Sequence, residues 1–188
     1  MGEPEAGGPA AEPHVVLVGL MGVGKSTVGR RLAKELARPF ADVDEQVELR
    51  EGVTIPTLFR DRGEAAFRRA EAEVLADLVG RPSPLVIAAG GGAVTTPANR
   101  ERLESCCVVW LRASAAFLAR RTDASHRPLL AGDAESTLER LRTERTPQYE
   151  AVADLVVDVE PFHVADDKPK RALARHIAAL IADRAVAR

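Results

Sequence analysis

The sequence predicts an α/β domain in which helices cover both faces of a parallel sheet. Short apolar runs alternate along the chain with segments of helical periodicity, and this alternation is typical of parallel sheets. Several of the runs are continuously apolar, as expected for strands that are buried on both faces. The length of 188 residues suits a single domain.

Five segments are predicted strands and seven are predicted helices. The strand segments are short and rich in β-branched and aliphatic residues, and they span residues 14–18, 40–43, 85–89, 106–111 and 155–159. The helical patterns lie near residues 25–37, 45–51, 63–79, 97–104, 114–122, 135–152 and 170–184. Together these segments predict one domain over residues 14–185.

The composition argues against several classes of protein. The 26 basic and 28 acidic residues give a net charge of −2, which disfavours a dedicated nucleic-acid binder. No apolar run is long enough to span a membrane, and residues 1–13 lack the pattern of a signal peptide and are predicted to form a disordered tail. Cys106 and Cys107 are neighbours without metal-binding spacing, so they are interpreted as core residues of a cytoplasmic protein.

A phosphate-binding loop is the strongest signal in the sequence. Residues 19–27 read GLMGVGKST and match the pattern GxxxxGK[ST] between a predicted strand and a predicted helix. Such a loop directs backbone N–H groups and a helix N-terminus at a polyphosphate. Lys25 would reach the β- and γ-phosphates, and the Ser26 hydroxyl would ligate Mg²⁺. The predicted nucleotide-binding residues are Gly22, Val23, Gly24, Lys25, Ser26 and Thr27. A glycine-rich turn without a ligand is the alternative interpretation.

Two aspartates follow the second predicted strand. If the chain is extended there, Asp42 and Asp44 project to the same side, at the sheet edge that also carries the phosphate-binding loop. One could support Mg²⁺ through water while the other accepts a proton from an attacking hydroxyl. The alternative is that Asp44 caps a helix beginning at Glu45. No guanine-recognition motif N/T-K-x-D is present, so a GTPase is disfavoured.

Candidate acceptor-binding groups lie on the third strand and the helix before it. The glycines at 90–92 could present N–H groups to a small polar or anionic ligand, or simply form a turn. Arg68 and Arg69, on the helix before this strand, could bind an acceptor. Alternatively, they could form (i, i+4) ion pairs with Glu64 and Glu73, and the sequence pattern does not distinguish the two roles.

Two further arginines stand out by their positions. Arg145 falls on the same helical face as Leu138 and Leu141, so it either extends to solvent or meets a buried anion. Arg127 lies in the turn-rich segment 122–134, which interrupts the strand–helix alternation. An arginine on such a segment could close over the charge of a transferred phosphate, or it could be a solvated loop charge.

Taken together, these motifs resemble shikimate kinases. The matching segments are GLMGVGKST (19–27), DVD (42–44), GEAAFRRAE (63–71), GGGAV (90–94), RPLL (127–130) and ERTPQYEAVAD (144–154). The resemblance implies a three-layer αβα P-loop fold like that of nucleoside monophosphate kinases, with a five-stranded parallel sheet in order 2-3-1-4-5 and a mobile lid at 122–134. It also implies transfer of the ATP γ-phosphate to the 3-hydroxyl of shikimate, on the pathway to chorismate and the aromatic amino acids.

The resemblance also implies a role for each candidate residue. The catalytic residues would be Lys25, Asp44 and Arg127. Mg²⁺ would be held by Ser26 and, through water, by Asp42, while Arg121 would lie against the adenine and Arg127 on the phosphates of the co-substrate ATP. Shikimate would be bound by Asp44, Arg68, Gly90, Gly91, Gly92 and Arg145. The enzyme is expected to be monomeric, with no nucleic-acid or membrane partner.

Two alternatives remain at this stage. Another small-metabolite kinase, for gluconate or a nucleoside monophosphate, could use the same scaffold, although a rigid carboxylated ring suits Arg68, Arg145 and Asp44 better. A nucleotide-binding module without catalysis would be expected to lack Lys25, Asp44 or Arg127, and all three are present.

Overall fold

The computed structural model describes residues 12–121, 133–165 and 168–186. In these residues the strands form one parallel sheet in the order β2-β3-β1-β4-β5. The strands are Val15–Val18 (β1), Phe40–Asp42 (β2), Val86–Ala88 (β3), Cys107–Arg112 (β4) and Leu155–Asp158 (β5). The predicted strand positions and the sheet order implied by the resemblance are therefore confirmed.

Helices flank the sheet. In the described part of the chain they are Lys25–Glu35 (α1), Val43–Glu51 (α2), Ile55–Val79 (α3), Pro97–Leu103 (α4), Ala115–Ala119 (α5), Ala134–Val152 (α6), Glu160–Ala165 (α7) and Pro169–Val186 (α8). A 3₁₀ turn covers Ala93–Thr95. None of the helices in the described ranges has the length and apolar character needed to cross a bilayer.

The core is centred on β1, which has β3 on one side and β4 on the other. All four residues of β1 are completely buried, which explains why that segment is continuously apolar instead of alternating. Helix α1 packs against α8 and β3, and α5 packs against α6. Cys106 and Cys107 are buried thiols within the core, as their interpretation as packing residues predicted.

The sheet register brings three strand ends together. Leu17 of β1 pairs with Ala88 of β3, and Ala88 in turn pairs with Asp42 of β2. The carboxyl ends of these three strands therefore meet at one edge, where loops after parallel strands commonly form binding sites.

Two helical segments differ from the prediction. Helix α3 begins at Ile55 rather than at residue 63, because the Thr54 side chain caps it by accepting from the Thr57 N–H. Gly63 has a φ of 76° and a ψ of 172° inside α3 and separates a first helical stretch from the predicted one. Helix α7 was not predicted at all.

The predicted tail boundary also shifts slightly. Residues 1–11 lie outside the described part, but Arg38 donates a hydrogen bond of 2.9 Å to the Pro13 carbonyl and pairs with Glu12. Glu12 and Pro13, which were predicted to belong to the tail, therefore contact the domain. Of the predicted lid, Asp133 and Ala134 belong to α6, as its cap and its first residue, and residues 122–132 lie outside the described part.

Candidate active site

The phosphate-binding loop depends on glycine backbone conformations. Gly22 and Gly24 have φ values of 82° and 97°, a region that other residues seldom occupy. Gly19 has a φ of 138°, and a Cβ there would lie 2.4 Å from the Leu111 carbonyl oxygen. Lys25 donates hydrogen bonds of 2.8 and 3.1 Å to the carbonyls of Gly19 and Leu20, so its ammonium is held over the loop.

A cavity of about 280 Å³ opens at this loop. All six residues predicted to bind nucleotide line it, and Ser26 is exposed. Arg121, predicted to lie against the adenine, lines the same cavity. Arg127 lies outside the described residues. The structure therefore gathers the remaining predicted nucleotide ligands around one space, which we call the nucleotide cavity.

The two aspartates reach this cavity by a different geometry from the predicted one. The chain is extended only to Asp42, which ends β2, and helix α2 begins at Val43. Asp42 caps this helix, since its carboxylate accepts a hydrogen bond of 3.0 Å from the Asp44 N–H. The alternative in which Asp44 caps a helix beginning at Glu45 is therefore wrong. Both aspartates line the nucleotide cavity.

A second cavity of about 470 Å³ adjoins the first. The whole predicted substrate-binding set lines it, as do the aromatic rings of Phe59 and Phe67. The predicted residues concerned are Asp44, Arg68, Gly90, Gly91, Gly92 and Arg145. We call this space the acceptor cavity.

Arg68 is held in the acceptor cavity by carboxylates of its own helix. It lies 3.2 Å from Glu64, the pair considered from the sequence, and 2.7 Å from Glu71. Arg69 is exposed, and its expected partner Glu73 lies 3.8 Å from Arg50. The structure thus separates the two neighbouring arginines, because only Arg68 lines the cavity.

Glu71 is the most unusual carboxylate of the site. Its side chain has no solvent exposure, and within the described residues its Oε1 has no hydrogen-bond partner. Burial raises the pKa of the Glu71 carboxyl; the charge of Arg68 opposes this shift, and the charge of Asp44 adds to it. Arg68, Glu71 and Asp44 therefore form one electrostatically coupled group.

The glycines after β3 make room for this group. A Cβ on Gly90 would lie 2.0 Å from Glu71 Oε1 and 3.0 Å from Asp44 Oδ1. A Cβ on Gly92 would lie 2.5 Å from the Arg68 guanidinium nitrogens. The absence of side chains at these positions is what allows the charged groups to approach the end of the strand.

Arg145 and Tyr149 converge on the same glycine loop. Arg145 donates a 2.9 Å hydrogen bond and Tyr149 a 2.6 Å hydrogen bond to the Gly91 carbonyl. Arg145 is only 7% exposed. Its side chain is therefore buried and does not extend to solvent.

Tyr149 stacks on Trp110 with ring centroids 5.4 Å apart, and burial raises the pKa of Tyr149 to about 12. Its hydroxyl therefore remains a donor near neutral pH.

Replacing Tyr149 with phenylalanine should loosen this loop. The variant loses one hydrogen bond to Gly91, and we expect it to lose about 1 kcal/mol of unfolding free energy and to bind the acceptor more weakly. Urea unfolding and the acceptor KM would measure both effects. Thr143→Ala removes an exposed hydroxyl bond on the same helix and serves as the control. Unchanged stability and KM in Tyr149→Phe would show that the hydroxyl does not position the loop.

Asp44 joins the two cavities. It lines both of them, as do Met21 and Gly91. A phosphate donor on the loop side and an acceptor on the arginine side would therefore meet beside this carboxylate. That arrangement suits in-line phosphoryl transfer with a carboxylate as proton acceptor.

The oxygen donors beside the phosphate-binding loop fit a magnesium ion. Mg²⁺ is commonly bound by one or two protein oxygens, with water and substrate phosphates completing the shell. The Ser26 hydroxyl and the Asp42 carboxylate supply this number of oxygens in the nucleotide cavity. No cluster of three or more potential metal ligands occurs among the described His, Cys, Asp and Glu residues.

Several residues that line the site were not predicted from the sequence. Glu71 and Tyr149 belong to motifs already singled out, and nothing in their spacing marks them as buried. His163 and Lys170 also line the nucleotide cavity, and no motif in the sequence marks either of them. Thr54 followed by Pro56 is a recognisable helix start, and it would have placed the first turns of α3 against the acceptor cavity.

Comparison with known proteins agrees with this geometry. The family model described as shikimate kinase matches residues 21–181. The shikimate kinase of Bordetella pertussis is 46% identical over 159 residues, which is 81% of this chain and 75% of that protein. The one from Halorhodospira halophila is 49% identical over 148 residues, covering 77% of this chain and 83% of that protein.

A solved structure of similar fold adds a ligand to the comparison. The shikimate kinase from Acinetobacter baumannii, in complex with shikimate, has a TM-score of 0.84 and 39% identity, with 92% of this chain and 94% of that chain covered. The family match, the related sequences and the shared architecture all point the same way, and the chain belongs to the shikimate kinase family.

Proposed function

We propose that the protein transfers the γ-phosphate of ATP to the 3-hydroxyl of shikimate, giving shikimate 3-phosphate and ADP. The observation that carries this proposal is the position of Asp44, which lines both the nucleotide cavity and the acceptor cavity. Membership of the shikimate kinase family and the shikimate complex of the Acinetobacter baumannii relative support the same reaction.

The acceptor cavity accounts for recognition of a carboxylated ring. Arg68 and Arg145 would bind the shikimate carboxylate, because guanidinium groups match carboxylates in shape and charge. Arg145 is already fixed by the Gly91 carbonyl, and Arg68 by Glu71. Phe59 and Phe67, whose rings are 4.9 Å apart, supply an apolar wall for the ring carbons. The N–H groups of Gly90–Gly92 would contact the ring substituents.

The remaining residues would carry out the transfer. Asp44 would hold the 3-hydroxyl and accept its proton as the oxygen attacks the γ-phosphorus. Lys25 would exchange its bonds to the loop carbonyls for the β- and γ-phosphates. Ser26 and, through water, Asp42 would hold Mg²⁺, which when bound neutralises charge on the phosphates. Arg127 is proposed as a further phosphate ligand on the basis of the sequence motif.

An acceptor panel tests the proposal against the other kinases considered. ADP release is measured with shikimate, gluconate and nucleoside monophosphates supplied separately with MgATP. We expect release with shikimate at a rate far above that with the other acceptors or with none. Faster turnover of gluconate or of a nucleotide would assign a different acceptor, and release that needs no acceptor would indicate an ATPase.

A monomeric state in the cytoplasm is part of the same proposal. The described residues proposed for the nucleotide and for the acceptor converge within a single chain, which supports a site formed without a second subunit. Light scattering of the purified protein during chromatography should give a mass near 20.2 kDa, and a stable dimer would contradict this part of the proposal.

A further inference from the structure

Every backbone carbonyl in the segment at residues 90–95 accepts a hydrogen bond from the protein. We call this segment the acceptor loop, since its glycines line the acceptor cavity. The Ala93 N–H donates a 3.1 Å hydrogen bond to the Gly90 carbonyl. Thr95 donates to the Gly92 carbonyl from its N–H at 3.0 Å and from its hydroxyl at 2.7 Å. With its carbonyls engaged in this way, the acceptor loop retains mainly N–H groups for an acceptor.

Helix α4 supplies the donors for the second half of the acceptor loop. The Asn99 side-chain amide donates a 3.0 Å hydrogen bond to the Ala93 carbonyl. The Arg100 guanidinium donates hydrogen bonds of 2.7 and 3.3 Å to the carbonyls of Val94 and Thr95. These carbonyls belong to the 3₁₀ turn, and the last carbonyls of a helical turn need donors from outside it. We call Asn99 and Arg100 the α4 clamp.

Asn99 is a buried donor of defined orientation. Its side chain is completely buried, and its two amide atoms have complementary partners. The Nδ2 atom lies 3.0 Å from the Ala93 carbonyl oxygen, whereas the Oδ1 atom lies 3.4 Å from the Arg102 guanidinium. Because these partners need an acceptor and a donor respectively, they determine which amide atom faces the acceptor loop. An apolar side chain of the same shape would leave the Ala93 carbonyl without this donor.

The backbone of the acceptor loop lies directly against charged side chains of the acceptor cavity. A Cβ on Gly90 would lie 2.0 Å from Glu71 Oε1, and a Cβ on Gly92 would lie 2.5 Å from the Arg68 guanidinium nitrogens. Ala93 connects the α4 clamp to these glycines, because its carbonyl accepts from α4 and its N–H donates to the Gly90 carbonyl. A displaced Ala93 peptide would therefore shift the glycines and the charged side chains that pack on them.

We propose that Asn99 and Arg100 are positioning residues for the acceptor, which hold the carbonyls of the acceptor loop so that its N–H groups and Arg68 stay arranged for shikimate. The proposal rests on the proposed function, since it takes shikimate as the acceptor. Neither clamp residue is among the residues that line the nucleotide or the acceptor cavity, so both act through the acceptor loop. Loss of the clamp should weaken acceptor binding much more than nucleotide binding.

Steady-state kinetics of Arg100→Ala provide the first test, because Arg100 is partly exposed and its truncation is compatible with folding. We expect the KM for shikimate to rise about three- to tenfold and the KM for MgATP to change by less than about twofold, as for loss of a single hydrogen bond to the acceptor side. Glu101→Ala alters an exposed residue of the same helix and should keep both KM values. An unchanged shikimate KM in Arg100→Ala, or an equal rise in both KM values, would overturn the role of Arg100.

Asn99→Leu tests the buried donor with little change in side-chain volume. The variant loses the amide N–H, so we expect a rise in shikimate KM similar to that of Arg100→Ala. Leu103→Val is the matched control, since it shortens a buried side chain of α4 and lowers the melting temperature through a small cavity. It removes no donor to the acceptor loop, and its shikimate KM should equal that of the wild type. A shikimate KM that follows the melting temperature across these variants would overturn the proposal, because α4 would then only stabilise the fold.

Calorimetric titration of shikimate in the absence of nucleotide distinguishes failure of this proposal from failure of the proposed function. The wild type should bind shikimate, and both clamp variants should bind it about three- to tenfold more weakly. If the wild type phosphorylates shikimate and both variants bind it with wild-type affinity, the α4 clamp is overturned and the proposed function stands. If the wild type neither binds nor phosphorylates shikimate, the proposed function fails and the clamp fails with it.

Discussion

Replacing Lys25 with methionine is expected to reduce shikimate phosphorylation to background. Lys25 is the first residue of α1, and its ammonium already lies at the mouth of the loop, where it donates to Gly19 and Leu20. Methionine is similar in length to lysine but has no charge, so the loop should keep its shape. The variant loses the ammonium that would stabilise the negative charge on the β- and γ-phosphates during transfer. We expect kcat to fall by about three orders of magnitude or more, by comparison with other cations on transferring phosphates.

A coupled assay of ADP release measures this loss, and circular dichroism verifies the fold. Lys34→Met alters a lysine at the opposite end of the same helix and should retain wild-type kcat. Chelation of Mg²⁺ with EDTA should abolish turnover of the wild type as well, and added Mg²⁺ should restore it. Substantial transfer by Lys25→Met, or by the metal-free enzyme, would contradict the proposed roles of the loop.

The second large effect is expected at Arg68. If its guanidinium binds the shikimate carboxylate, Arg68→Ala should cost about 2–5 kcal/mol in kcat/KM for shikimate, as expected for truncation of one partner of a buried charge pair. Arg69→Ala should cost less than about 1 kcal/mol, because Arg69 is exposed and exposed charges contribute little. The two neighbouring residues thus provide a matched comparison on one helix.

Arg68→Ala is also expected to affect the stability of the fold. Arg68→Ala would leave the fully buried Glu71 without its closest cation, and an unpaired buried charge destabilises the fold. Arg68→Lys keeps the positive charge but not the forked guanidinium, so it should raise KM for shikimate with a smaller loss of stability. Equal kinetic effects of Arg68→Ala and Arg69→Ala would show that the carboxylate binds elsewhere.

Local signals in the sequence were sufficient for much of the fold and for part of the site. The apolar runs identified β1 to β5. In β1, β3 and most of β4 the run reflects burial on both faces, whereas the edge strand β5 is partly exposed. The P-loop pattern identified its own strand, loop and helix. The predicted helix began at Gly63, which is the non-helical residue inside α3, and the helical stretch before it was missed. Its first turns are partly exposed and lack a clear apolar period, so only the Thr54 cap marks them.

Residues whose role depends on tertiary packing could not be identified in this way. Glu71 follows Arg68 at a spacing that also occurs between solvated charges on helix surfaces, and its burial depends on the bare backbone of Gly90, which belongs to another element. Tyr149 lies on the same face of α6 as Arg145, but Pro147 between them makes the helical phase uncertain. The helix continues through Pro147 to Val152, so both side chains reach Gly91.

The location of Asp42 and Asp44 was predicted correctly, but the backbone conformation that brings them there was not. An extended chain was expected to direct Asp42 and Asp44 to one side. Instead, Asp42 ends the strand and caps α2, and Asp44 occupies the first turn of that helix. A strand end followed at once by a helix N-terminus places both carboxylates at the same sheet edge, so the local conformation was wrong although the location was right.

If a nucleotide on the loop side and shikimate on the arginine side meet at Asp44, one particular hydroxyl of shikimate receives the phosphate, and the identity of that hydroxyl can be measured. Purified enzyme is incubated with MgATP and shikimate, and the product is examined by phosphorus–proton correlation NMR, with Lys25→Met as the blank. We expect a single product carrying phosphate on the 3-hydroxyl, in an amount equal to the ADP formed. Phosphate on another hydroxyl, or ADP formed together with inorganic phosphate and unchanged shikimate, would contradict it.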